Sequence, residues 1–150
     1  MENDNFFIAV TQDGYSDAGH KTTAFEIVRS RLGQGLWPVY KHTNNRHAIA
    51  QGGLLFFYVG GQGVNGGSVV AKANIDGYVT PRRRLPRELY SASEVEGLVK
   101  FRNIVEFSPV PLKPLLIKQG VIREENKKWG AFLMGGFKRI PKAVSEELLA

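Results

Sequence analysis

The 150-residue chain has no cysteine. That excludes a disulfide framework and any cysteine-ligated zinc site, and it fits a reducing cytoplasm. Histidine is scarce: His20, His42 and His47 are the three present, no two are four residues apart as in a helical zinc site, and no acidic cluster accompanies them. Neither a metal nor another cofactor is expected. No apolar run approaches the roughly 20 residues that cross a bilayer. The opening stretch MENDNFFIAV has acidic rather than basic residues ahead of its short apolar run, unlike a secretory signal. A cytoplasmic protein with no membrane partner is therefore expected. Also lacking are a GxSxG nucleophile elbow, a P-loop lysine, and a pair of carboxylates placed for acid–base work. These absences point away from an enzyme, with no catalytic residue to name.

Positive charge and glycine are plentiful. Twenty Lys and Arg against fourteen Asp and Glu give a formal net charge of +6 and a pI near 9.7, and there are 17 glycines. A basic surface favours polyanions, nucleic acid first. The cations cluster: Arg82, Arg83, Arg84 and Arg87 form one group, Lys127 and Lys128 a second, and Lys138, Arg139 and Lys142 a third. The length suits one domain, residues 1–150, with a core large enough to stand without disulfides or metal.

The middle of the chain organises the rest. Leu54 to Val59 is an unbroken apolar run bounded by glycines and reads as a strand buried on both faces. Ser68 to Ile75 reads as its returning partner. Five of the eight residues between them, Gly60–Gly67, are glycine. They include Gly61-x-Gly63-x-x-Gly66, a pattern that invites a nucleotide-phosphate reading. That reading needs a helix directly after the glycines, and the β-branched SVVAKA follows instead. The glycines are better explained as suppliers of positive φ in a wide turn.

Around this hairpin, Phe6 to Val10 reads as a first strand. Thr23-x-x-Glu26 matches a capping box, Phe25, Val28 and Leu32 follow at helical spacing, and Gly33 is placed to stop a helix over residues 23–32. Gly35-Leu36-Trp37-Pro38 is read as an extended loop, because proline disfavours helix at the residue before it. Residues 46–51 suit a helical turn. Residues 79–97 read as a long loop with one turn near Ser93-Glu94. Val99, Phe101, Val105 and Phe107 share one side of a strand from about 99 to 109. Leu112 to Ile117 packs as an irregular segment or a turn of helix. Residues 123–128 suit a solvated loop, and Trp129 to Met134 has strand character. Pro141 opens a last helix with Ala143, Val144 and Leu148 on its apolar side.

The order of these pieces resembles the EVE domain family of PUA-like barrels, which is related to the YTH and ASCH domains. The stretches that carry it are FFIAVTQ, the helix followed by Gly35-Leu36-Trp37-Pro38, LLFFYVGG, SVVAKANID, RNIVEFSPVPL, and MGGFKRIP followed by a helix. The resemblance covers essentially the whole chain and rests on order and spacing. One departure is Gly52-Gly53, where many such sequences have Gly-Asp; the glycine-rich hairpin tip is also longer than usual.

The resemblance implies an α+β fold, a PUA-like mixed β-barrel with a few short flanking helices. It also implies a non-catalytic nucleic-acid binding domain that reads a modified base, such as a methylated one, in DNA or RNA. The base would be flipped into an aromatic pocket at one end of the barrel. By position, Trp37, with Pro38 beside it, stands as the first cage aromatic, and Thr11 and Gln12 as edge-reading groups. Tyr78 stands as a further wall, ahead of Tyr90. Gly136 and Phe137 belong to the closing stretch that lines the pocket, with Lys138 and Arg139, and Arg82, Arg83 and Arg84, for phosphates. Two other readings stand beside it: an ASCH-like small-molecule or RNA-processing enzyme on the same barrel, and an interaction module that recruits an effector nuclease or restriction component.

Overall fold

A computed structural model describes residues 6–11, 14–15, 21–40, 53–61, 63–79, 95–123 and 137–149. In chain order these form β1 (Phe6–Thr11), β2 (Gly14–Tyr15), β3 (Lys21–Thr22), α1 (Ala24–Gln34), β4 (Leu36–Tyr40), β5 (Gly53–Val59), β6 (Ser68–Val79) and β7 (Val95–Pro111). Helix α2 (Leu112–Lys118), strand β8 (Phe137–Arg139) and helix α3 (Lys142–Leu149) follow. Six of the strands make one sheet in the order β4-β7-β6-β5-β1-β8, and β2 pairs with β3. Among the described residues β1 and β5 run parallel and the other paired strands antiparallel; the sheet is a curled half-barrel of mixed direction, an α+β arrangement.

The apolar run of β5 explains its central place. Strand β1 pairs with one edge and β6 with the other. Leu55, Phe57 and Val59 enter the core on one face, together with α1, and Phe56 and Tyr58 enter a second core on the other face, under α2 and α3. Both cores are dry at this strand, since Leu55, Phe56 and Phe57 are fully buried. Burial raises the Tyr58 hydroxyl above its ordinary pKa.

Helix α1 begins as its capping box predicts: the Thr23 hydroxyl accepts from the Glu26 amide at 3.2 Å. Its end differs from expectation. Gly33 lies inside the helix, and Gly35, at φ 68°, forms the left-handed cap, donating to the carbonyls of Arg31 and Leu32. The segment Leu36–Tyr40 is then a strand rather than a loop. It lies at the edge of the sheet, where the missing amide of Pro38 is tolerated.

Strand β7 is longer than its apolar pattern suggests, and its two halves differ. Val99 and Phe101 are buried in the α1-side core, but Val105 is 46% exposed and Phe107 packs on the opposite core. The single side expected for these four residues is therefore corrected. Asn103 has φ 56°, and pairing jumps from Asn74↔Arg102 to Lys72↔Val105, so two residues of β7 face one of β6. This bulge reverses the parity of the residues that follow it, which puts Phe107 on the opposite core. The strand runs past the expected end near 109 to Pro111, which pairs opposite Ser68, and Leu112 to Lys118 form a helix that buries Leu112, Leu115 and Leu116. In α3, which starts one residue after Pro141, Val144 and Leu148 are buried, whereas Ala143 is exposed.

Candidate nucleic-acid interface

Three adjacent strands align one rung of the sheet: Trp37 of β4 lies opposite Val99 of β7, and Val99 opposite Tyr78 of β6. All three side chains belong to the α1-side core. The Trp37 ring is tilted at 45° to that of Phe57, 5.4 Å away, and Phe57 in turn lies 5.0 Å from Phe101. The Arg31 guanidinium sits over the indole at 4.5 Å from its centroid. Trp37 is thus a core side chain, 2% exposed, on a strand rather than in a loop. Pro38 is also buried. Tyr78 is half-buried, and its hydroxyl end lies directly against the α-carbon of Gly97, where no β-carbon would fit.

The remaining expected site residues lie elsewhere. Thr11 is buried at the end of the sheet where β1 and β5 terminate, and its carbonyl accepts from the Gly60 amide at 2.9 Å. The register puts Tyr78 at the opposite end. Phe137 pairs across from Ala9 and is 1% exposed, inside the core rather than open to a ligand. Lys138 is half-buried; Arg139 is exposed, its guanidinium 5.3 Å from the centroid of the Phe7 ring. So Trp37, Pro38 and Tyr78 come together, and Thr11 does not join them. Gln12, Gly136, Arg82, Arg83 and Arg84 fall outside the described residues, as do Tyr90, Trp129, the three histidines, residues 46–51 and the Ser93-Glu94 turn. Strand β6 ends at Val79 and β7 begins at Val95, both at the Trp37 end of the sheet.

Arg31 is the residue that sequence reasoning missed. It is 7% exposed and follows Ala24 and Val28 on the buried side of α1. A cation at the seventh position of an apolar stripe is the signal that points to it.

The hairpin tip has the conformation that its glycines predict, with positive φ at Gly61, Asn65 and Gly67. Its amides face inward: Gly60 donates to Thr11, Gly66 to Gly63, and Gly67 to Val59. Three glycine amides are thereby taken up within the fold, which argues against a phosphate cradle there. Among the described residues no group of three or more His, Asp or Glu side chains is placed to hold a metal, and no helix is long and apolar enough to cross a membrane.

Neither a protein-family model nor a curated protein sequence matches the chain. Solved structures do. The YTH domain of Zygosaccharomyces rouxii MRB1, in complex with N6-methyladenosine RNA, matches with a TM-score of 0.56 over 99% of this chain and 88% of its own, at 15% identity. The fold is PUA-like. A ZmASCH variant from Zymomonas mobilis matches this PUA-like chain with a TM-score of 0.57, over 99% of it and 97% of its own length, at 11% identity. Human THYN1, in complex with DNA containing 5-methylcytosine, matches at 0.54, over 97% and 95%, at 12% identity. The likeness thus runs to YTH, ASCH and EVE-type structures alike, as the order of the sequence elements implies.

Proposed function

We propose that this PUA-like protein binds nucleic acid and reads a modified base at the Trp37–Tyr78 end of its sheet. One observation carries the reading: the fold matches, over nearly the whole chain, two structures that hold methylated nucleic acid. The net charge of +6 supports it, because a basic protein gathers phosphodiester chains by releasing their counterions. Trp37 and Tyr78 lie on one rung, with Trp37 buried beneath Arg31, and Arg82, Arg83 and Arg84 follow Val79 closely in the chain. An extruded base costs a few kcal/mol to unstack, and stacking at about 1–3 kcal/mol per base offsets this. A methyl group adds at most about 0.8 kcal/mol, so shape must supply the rest of any preference.

The test is a titration of short single- and double-stranded oligonucleotides with and without N6-methyladenine, 5-methylcytosine or its hydroxymethyl derivative. Trp37→Ala is measured alongside. If that variant, still folded, binds all of them as well as the parent does, the reading fails. The likeness to ZmASCH favours a second reading, an enzyme acting on a small molecule or RNA. It requires turnover, so nucleosides and RNA recovered unchanged after incubation would count against it. Recruitment of an effector nuclease has no support in the fold or in the three structural matches.

A further inference from the structure

We infer that Arg31 is a built-in competitor for the Trp37 face, so that a base enters the site by exchanging with its guanidinium. The inference rests on the base-reading proposal for where the ligand goes, and adds what it must displace. The side chain belongs to the last turn of α1, where the helix dipole favours a cation. The chain then reverses at Gly35, whose amide donates to the Arg31 carbonyl at 2.9 Å, and β4 returns beneath the helix. This tight turn brings Trp37 under Arg31, with the guanidinium 4.5 Å from the ring centroid.

A guanidinium is flat, delocalised and weakly hydrated, so it stacks on an aromatic face much as a base does. Both groups use the same surface of the indole, and the two contacts are comparable in strength. An entering base therefore gains little from stacking alone. It wins only with the further contacts that its edge or its methyl group makes. Arg31 thereby turns a general stacking platform into a selective one. Arg31 is 7% exposed and Trp37 2%, so the indole face is closed in this state and a base reaches it only when the guanidinium swings out. Phe57 backs the same indole from within the core, so Trp37 itself is held while the guanidinium moves.

The test uses Trp129→Phe protein, which leaves Trp37 as the single tryptophan of the two in the chain. Its fluorescence is followed while N6-methyladenosine or 5-methylcytidine is added. Arg31→Ala should bind the nucleoside more tightly than the parent by about 2- to 30-fold, the range a cation–π contact spans. It should also lose discrimination between methylated and plain nucleosides. Arg31→Lys keeps the charge without the flat stack and should fall between the two; it also serves if the alanine variant does not fold. Unchanged or weaker nucleoside binding in both variants overturns the inference. Methylated oligonucleotides are titrated in parallel. If they bind the parent while Arg31→Ala gains nothing, the competitor role fails and the base-reading proposal stands. If Arg31→Ala gains nucleoside affinity while no oligonucleotide binds, the competitor role stands and the nucleic-acid proposal fails.

Discussion

At the end of the sheet where β5 turns into β6, main-chain atoms hold the connection. Gly67 donates to Val59 and Ser68 to Asn65, while Gly60 ties the turn to the end of β1. At the aromatic end the work falls to side chains: Trp37, Tyr78 and Phe101 on three strands, with Arg31 laid over the indole. The hairpin end attracts attention in the sequence because of its glycines, yet those glycines close the loop on itself. The aromatic end is marked in the sequence by a tryptophan before a proline. It brings together flat groups, an indole, a phenol ring and a guanidinium, and under the proposed function these are the groups a base would meet. Glycine content at the hairpin tip therefore marks where the backbone turns.

That contrast can be broken most forcefully at its aromatic side. Phe57→Ala removes a fully buried ring that touches both Trp37 and Phe101, and should cost about 3–5 kcal/mol in urea unfolding. Gly97→Ala forces a β-carbon into the Tyr78 hydroxyl end and should cost about 1–3 kcal/mol as the ring is displaced. Adding Tyr78→Ala to that variant should recover part of the loss, because the clash is then gone. At the glycine end, Gly66→Ala drives its β-carbon against the Gly61 carbonyl, so the tip must shift. About 1 kcal/mol of stability should be lost. Oligonucleotide affinity should change by less than about twofold, since distant sites act nearly independently. A large loss of binding in Gly66→Ala would return the glycine tip to the functional site.

The smallest effect concerns neither end and serves as a reference. Lys118 lies 2.9 Å from Glu147 across α2 and α3, and its hydrogen bond and charge lower the Glu147 pKa. A carboxylate depressed in the folded state contributes stability above its unfolded pKa, and the contribution is lost as pH falls through the folded value. Glu147→Gln should therefore lower the unfolding midpoint slightly at neutral pH, and the difference from the parent should vanish in acid.

Much of the fold was legible because local and global signals agreed. The Thr23 capping box, the two-faced apolar run of β5 and the positive-φ glycines each follow from residue type alone. The failures have specific causes. Gly33 and Gly35 both suit a helix stop, and only the left-handed backbone at 35 decides between them. A period-two pattern over 99–107 cannot reveal one extra residue, although Asn at position 103 is among the few non-glycine types that accept positive φ. Pro38 gives Trp37 the signature of a loop residue, yet the edge of a sheet tolerates proline. For the candidate site, the resemblance groups Trp37 with Tyr78, and strand register sets both on one rung. Family resemblance joins Thr11 to Tyr78, whereas strand register sets them at opposite ends. Arg31 stays hidden when the helical stripe is traced through its apolar members only.

The most direct test of base reading at the aromatic end compares the parent with Trp37→Phe on one oligonucleotide, with and without its methyl group. Phenylalanine keeps a ring in the core but offers a smaller face. The account predicts that the parent prefers the methylated strand, and that the variant loses most of this preference while keeping the salt-dependent binding that the basic surface provides. Equal affinity of the parent for both strands, or an undiminished preference in the folded Trp37→Phe protein, would contradict it.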